Sequence, residues 1–184
     1  MILGPSGTGK GTAIQYLKSR FPEAVFPLSC TTRQPRPTEK DGEVYRFLTK
    51  GEFDRKIKAG EFLEWAVVHH DNFYGTLKKP ILEAINAGKI VIREVDMQGV
   101  QSIRKLLPQD QVVAIFIAAP SWESLRHRIL KRSKIPDEEL VRRESSFKLE
   151  MAFSKECDFV VMSEEGNIEE FCTEVGKIIE ENAK

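Results

Sequence analysis

The chain has 184 residues, the length of one ordinary domain with a sizeable core. Lys plus Arg number 28 and Asp plus Glu number 28, so the formal charge is zero, where a general nucleic-acid binder carries a basic excess. With 41% apolar and 30% charged residues the chain is too apolar for disorder, no apolar run approaches the roughly 20 residues of a membrane span, and no signal-peptide pattern opens it.

Strand-like and helix-like runs alternate, which predicts an α/β domain with a parallel sheet. Met1–Leu3 reads as the end of a strand whose beginning precedes residue 1, so a trimmed start is expected. A Gly-rich turn follows, then a helix with Ala13, Ile14, Leu17 and Phe21 on one face, stopped by Pro22. From Thr31 to Thr76 the pattern changes. A polar, Pro-bearing loop, TTRQPRPTEKDGE, leads into short strand candidates at Val44–Leu48 and Phe62–Val68 around a helix at Glu52–Ala59. This stretch reads as an inserted subdomain of short antiparallel strands.

Near-continuous apolar runs at Lys89–Val95, Val112–Ala118 and Phe159–Met162 predict buried strands. Helices are expected at Lys79–Ala87, Val100–Leu106, Trp122–Lys131 and Glu138–Lys155. The polar patch KRSKIPDEELVRR, Lys131 to Arg143, suits a mobile flap. A last helix carries Ile168, Phe171, Cys172, Val175, Ile178 and Ile179 as a core stripe. Cys30, Cys157 and Cys172 are odd in number and widely spaced, so neither a disulfide framework nor a Cys-based zinc site is expected, and a reducing cytoplasm suits them. His69, His70 and His127 do not complete a metal cluster with them.

The sharpest local signal is GPSGTGK at Gly4–Lys10, between a strand and a helix. It matches the phosphate-binding pattern G-x-x-x-x-G-K in the context that gives it meaning. Glycines allow backbone conformations that side chains block, so successive N–H groups can face phosphate oxygens. The helix N-terminus adds partial positive charge and Lys10 a full one. Gly4, Pro5, Ser6, Gly7, Thr8, Gly9, Lys10, Gly11 and Thr12 are therefore the expected nucleotide-phosphate-binding residues. The pattern expects Ser or Thr after the lysine, for Mg²⁺, but Gly11 stands there and Thr12 follows. Two arrangements stay open: the metal is held through waters and phosphate oxygens, or Thr12 substitutes. Adenylate kinases resemble the chain at this point, reading GKGT and using magnesium.

Further motifs follow in order: SCTTRQPR at Ser29–Arg36, GEVYRF at Gly42–Phe47, EFLEW at Glu61–Trp65, NFYGT at Asn72–Thr76 and EVDMQG at Glu94–Gly99. Together with GPSGTGKGT they resemble guanylate kinase, from Ile2 to about Val161. The resemblance implies a P-loop kinase fold: a five-stranded parallel sheet with helices on both faces, an inserted GMP-binding subdomain and a mobile lid. On this chain that places the core at 1–30, 77–130 and 145–184, the GMP-binding subdomain at 31–76 and the lid at 131–144.

The residue types fit that reading. A dianionic phosphate suits forked, charge-assisted bonds from Arg33 and Arg36, with hydroxyls from Tyr45 and Tyr74. Guanine offers N1–H and N2–H₂ side by side, matched by one carboxylate at Glu64, whereas adenine offers a lone pair that a carboxylate repels. The resemblance adds Ser29, Gly75, Thr76 and Asp96 around the base. Glu94 and Asp96 lie two apart at a strand end, so period two gives them one face. Glu94 is assigned to the magnesium side through water, and Asp96 to the guanine side. Arg93 alternates to the opposite face, as a surface residue or local partner. The resemblance marks Arg132 and Arg143 as lid arginines, Arg132 on ATP and Arg143 also on GMP. The lid lacks the family's usual glycines after Arg132, and Ser163 stands where an Asn often contacts adenine.

The attacking oxygen belongs to an already anionic phosphate, so no general base is needed; cations are. Lys10, Arg36, Arg132 and Arg143 are the expected catalytic set. The implied reaction is ATP plus GMP, or dGMP, to ADP plus GDP, with Mg²⁺, in the cytoplasm, with no nucleic-acid polymer and no membrane as partner. The alternative is a non-catalytic guanylate-kinase-like domain that binds phosphorylated peptides. Such modules degrade the phosphate loop, which here is intact. Glu64 argues against an enzyme for another nucleoside monophosphate.

Overall fold

The computed structural model describes residues 1–37, 39–68, 72–132 and 135–183, the side chains of Val68 and Arg132 excepted. In chain order its elements are β1 (Ile2–Leu3), α1 (Lys10–Arg20), β2 (Ser29–Thr31), β3 (Tyr45–Phe47), α2 (Lys50–Lys58), β4 (Phe62–Val68), β5 (Asn72–Leu77), α3 (Lys78–Asn86), α4 (Met97–Leu106), β6 (Ile115–Ala118), α5 (Trp122–Arg132), α6 (Asp137–Phe153), β7 (Phe159–Met162) and α7 (Ile168–Asn182). They fall into two compact units, Met1–Pro22 with Arg93–Lys184, and Glu23–Ile92.

The first unit is built on a parallel sheet in the order β1-β6-β7. All four residues of β6 are buried, as a strand covered on both faces must be. Leu3, Val100, Ala114, Phe116, Ala118 and Phe153 form one apolar cluster, with Val95, Met97 and Met151 packed against it. This cluster clamps the end of β1, the start of α4 and the end of α6 together. α1 buries Ala13 and Leu17 and lies along α7, where Gly176 leaves room for Tyr16: a Cβ there would stand 3.3 Å from its ring. α7 buries Phe171, Cys172 and Val175, but Ile168, expected in the same stripe, is exposed at the first turn.

The expected strand at Lys89–Val95 is reduced to single parallel bridges, Ile2 with Glu94 in the first unit and Val25 with Val91 in the second. The ladder hydrogen bonds are present, Ile2 N–H to Arg93 O at 2.8 Å and Val95 N–H to Ile2 O at 3.0 Å. β1 offers only Ile2 to this side, so no run of pairs forms. Three continuous strands therefore stand in place of the five expected. Arg93, expected as a surface residue or a local partner, is 9% exposed, so the surface half of that expectation does not hold.

The second unit carries a four-stranded sheet, β3-β2-β5-β4. It is mixed, not purely antiparallel: β2 runs parallel to β3 and antiparallel to β5, and β4 antiparallel to β5. One face packs Cys30, Phe62, Phe73 and Leu77 against Phe53 of α2, whose ring stacks on Phe62 at 4.3 Å between centroids. α2 opens on a capping box, Thr49 accepting from Glu52 N–H while the Glu52 carboxylate accepts from Thr49 N–H.

Candidate active site

The phosphate loop leaves β1 at Gly4, with φ 138°, and a Cβ there would lie 2.2 Å from the Ile117 carbonyl of β6. Only glycine permits this approach. Gly9, at φ 93°, starts α1 without a side-chain cap, so the first-turn amides keep no side-chain acceptor, the arrangement an anion site uses. Lys10 donates from Nζ to Gly4 O at 2.7 Å and Pro5 O at 3.0 Å, and its ammonium lies 3.6 Å from Glu94 Oε1. Buried Thr8 donates to the same Pro5 carbonyl at 2.9 Å, which braces the loop from below. A Cβ on Gly11 would meet nothing within 4 Å, so the departure from Ser or Thr there is not steric. Gly11 and Thr12 are both exposed.

Glu94 and Asp96 do different work. Glu94 turns to Lys10 with its side chain half exposed, whereas Asp96 N-caps α4, accepting from Gly99 N–H at 2.7 Å. Arg143, in the second turn of α6, donates from Nε to Glu139 at 2.9 Å. The side chain of Arg132 and the imidazoles of His69 and His70 lie outside the described residues. Ser163 is buried and held by Arg128, which reaches its Oγ at 3.2 Å and its carbonyl at 2.7 Å. The Ser163 hydroxyl would lie 3.6 Å from a Cβ on Gly9, so this pair borders the phosphate loop.

Glu150 of α6 escaped sequence reasoning. Its Oε2 is buried with no hydrogen-bond partner. Burial pushes its carboxyl above the ordinary range, Lys10 partly offsets this, and Asp96 adds to it. Its one sequence signal is its place seven residues after Arg143, two turns along the same helical face.

In the second unit, β5 sets the geometry. Tyr74 and Thr76 share one face, opposite Ala66 and Glu64 of β4. Period two would put Glu64 on the face of Phe62, in the core. A bulge between Phe62 and Glu64 adds one residue to β4 and turns Glu64 to the face of Thr76. There the Thr76 hydroxyl donates to Glu64 Oε1. Gly75 faces the core: a Cβ would lie 2.9 Å from Trp65 Cβ and 3.0 Å from both Glu64 O and the Phe53 ring. Its side-chain absence serves packing. Ser29 of β2 pairs in register with Tyr45 of β3.

Arg33, Tyr45 and Tyr74 converge. The tyrosine rings meet edge to face at 5.8 Å, and the Arg33 guanidinium lies 5.5 Å from the Tyr45 ring centroid and 5.6 Å from that of Phe47. Hydrogen bonding to Glu39, then to Tyr74, raises the Arg33 pKa further. Glu39 accepts from Arg33 Nη2 at 3.0 and 2.9 Å and from the Arg36 backbone N–H at 2.9 Å. Nothing in the sequence singled out Glu39 within its polar loop. Among the described residues no group of three or more His, Cys, Asp and Glu side chains is arranged to hold a metal ion.

The family model for guanylate kinase matches residues 1–182. The chain is 43% identical to a guanylate kinase of Nocardia farcinica over 90% of this chain and 85% of that one. It is 41% identical to a guanylate kinase of Thermotoga maritima over 97% and 84%. The crystal structure of guanylate kinase from Anaplasma phagocytophilum aligns with 99% of this chain and 84% of its own, at a TM-score of 0.71 and 28% identity.

Proposed function

The chain belongs to the guanylate kinase family, and from that premise we propose that it transfers the γ-phosphoryl group of ATP to GMP or dGMP, giving ADP and GDP. The observation that carries this reading is the face shared by Glu64, Thr76 and Tyr74, where a carboxylate suited to guanine N1–H and N2–H₂ lies on the same small sheet as Tyr74, against which the loop cation Arg33 is held. Arg33 and Arg36 take the acceptor phosphate with Tyr45 and Tyr74, and Ser29, Gly75 and Thr76 line the base. Gly4 to Thr12 take the donor phosphates, with Lys10 offsetting their charge. Arg143, Arg132 and Asp96 are assigned by resemblance, the arginines to the transferring phosphoryl group and Asp96 to the guanine.

The residues fit Mg²⁺, which usually keeps several waters and binds substrate phosphates with one or two carboxylates. Glu94, half exposed beside Lys10, is a suitable hard-oxygen partner through water, and the exposed Thr12 is available in the first turn of α1. Held there, the ion would supply positive charge against the donor phosphates. Lys10, which donates to the carbonyls of its own loop, would donate to phosphate oxygen instead when a nucleotide binds, and the first-turn amides of α1 would orient the chain of phosphates. No observation favours a phosphopeptide-binding module, since the loop and Lys10 keep the geometry that phosphate binding needs. Among the described residues no helix is long and apolar enough to cross a membrane.

The test is a coupled assay of GMP, AMP, UMP and CMP with ATP and Mg²⁺. A marked preference for GMP is expected; equal use of AMP would overturn the reading.

A further inference from the structure

The loop from Arg33 to Glu39 places a carboxylate at the hub of an anion site, which needs a physical reason. Arg33 and Glu39 are both largely buried, with side chains 19% and 13% exposed. Glu39 engages one nitrogen of Arg33, Nη2, with both its oxygens, and one of those oxygens also accepts the Arg36 backbone N–H. The turn is closed in return by Glu39 N–H donating to Arg36 O at 2.9 Å. Arg33 Nη1 is held by Gln34 O at 2.7 Å, and the guanidinium lies between the rings of Tyr45 and Phe47 and this carboxylate. The Arg33 guanidinium also hydrogen-bonds Tyr74, and among the described residues the Arg36 guanidinium makes no hydrogen bond. The carboxylate therefore holds the Arg33 guanidinium through Nη2 and the Arg36 turn through its amide, and leaves the Arg36 guanidinium to a ligand.

We propose that Glu39 is a positioning residue of the acceptor-phosphate site, fixing the Arg33 guanidinium and the Arg36 turn in the arrangement that grips the phosphate. The inference rests on the GMP kinase reading above. Two long cationic side chains on a polar loop repel each other and lose rotamer freedom when a dianion orders them. An anchored carboxylate orders them beforehand, so less affinity is lost on binding. Glu39 is fully charged when it does this, because the Arg36 amide and then Arg33 hold its carboxyl below the ordinary range.

The experiment compares wild type, Glu39→Gln and Glu39→Asp. It measures kcat and KM for GMP and ATP, the affinity for guanosine, which lacks the phosphate, and thermal unfolding. Glu39→Gln keeps the shape but sets an amide N–H₂ against Arg33, so KM for GMP should rise about tenfold or more. KM for ATP and guanosine affinity should stay within about twofold, since neither involves the acceptor phosphate. Glu39→Asp keeps the charge one methylene short and should fall between. A folded Glu39→Gln with unchanged or lower KM for GMP overturns the proposal, and so does an equal loss for ATP and guanosine. If Glu39→Gln does not fold, a wild-type KM for GMP in Glu39→Asp overturns it. A wild type that does not phosphorylate GMP overturns the kinase reading as well, whereas the other outcomes leave that reading standing.

Discussion

The two units build their anion sites by opposite means. The phosphate loop uses consecutive residues, three glycines at positive φ and one lysine, so its geometry is local and mostly main chain. The acceptor site draws Arg33, Tyr45, Glu64, Tyr74 and Thr76 from a loop and three strands, so its geometry is that of side chains set by register. A backbone cradle tolerates changes in most of its side chains but not in its glycines. A side-chain site depends on every strand being in register.

The largest break in this comparison is Lys10→Ala. The side chain braces no core cluster, so unfolding temperature should hold while kcat falls roughly 10²–10³-fold or more, the scale for removing a preorganised charge partner of a transition state. Near-normal turnover of the folded variant would remove Lys10 from the donor site.

Glu64→Gln probes the other unit. It turns a charged acceptor into a neutral one, which costs about 1.5–3 kcal/mol, or one to two powers of ten in kcat/KM for GMP. The amide N–H can donate to adenine N1, so the GMP-over-AMP ratio should narrow, mostly through KM. An unchanged ratio would mean that the bulge does not present Glu64 to the base.

A pair of glycine substitutions sharpens the contrast in stability. Gly75→Ala drives a methyl into Trp65, Phe53 and a β4 carbonyl and should destabilise by about 1–3 kcal/mol in denaturant titration. Gly11→Ala meets open space in the first turn of α1 and should be neutral or gain up to about 1 kcal/mol from helix propensity. Equal effects would contradict the packing around β5.

The smallest effects are in pH dependence, where the units should respond with opposite sign. The raised carboxyl of Glu150 favours the fold fully below its ordinary value of 4.5 and loses that contribution as pH rises through the raised value. Glu150→Gln should therefore stabilise at neutral pH, and the gain should vanish in acid. The depressed carboxyl of Glu39 contributes above 4.5 and is lost as pH falls through its lowered value, so Glu39→Gln should destabilise at neutral pH and not in acid. Thermal unfolding of both variants between pH 3 and 8 checks this.

Legibility followed the same division. Most helices were readable from their apolar residues and the breaks between them, but the caps at Thr49 and Asp96 were not, so α2 and α4 begin earlier than expected, at Lys50 and Met97. Arg33 and Tyr74 were readable as residue types suited to phosphate, yet their partner Glu39 was not, because a carboxylate in a polar loop looks solvated until the fold closes over it. Arg93 was left open between surface and local pairing because alternation along one strand says nothing of what covers either face. Glu150 was invisible as a site residue because only packing of Met151 and Phe153 against the β1–α4 cluster brings its helix to Lys10.

The sequence by itself determined the phosphate loop, since a strand, a glycine turn and a helix N-terminus within a dozen residues fix their own backbone. It also determined the alternation that makes an α/β fold. Tertiary structure alone decided which way Glu64 points. Strict alternation would have buried it beside Phe62; one extra residue in β4, visible only as a register shift against β5, turns it toward Thr76. A side chain's face in a sheet depends on a count of residues in two strands, and no single strand contains that count.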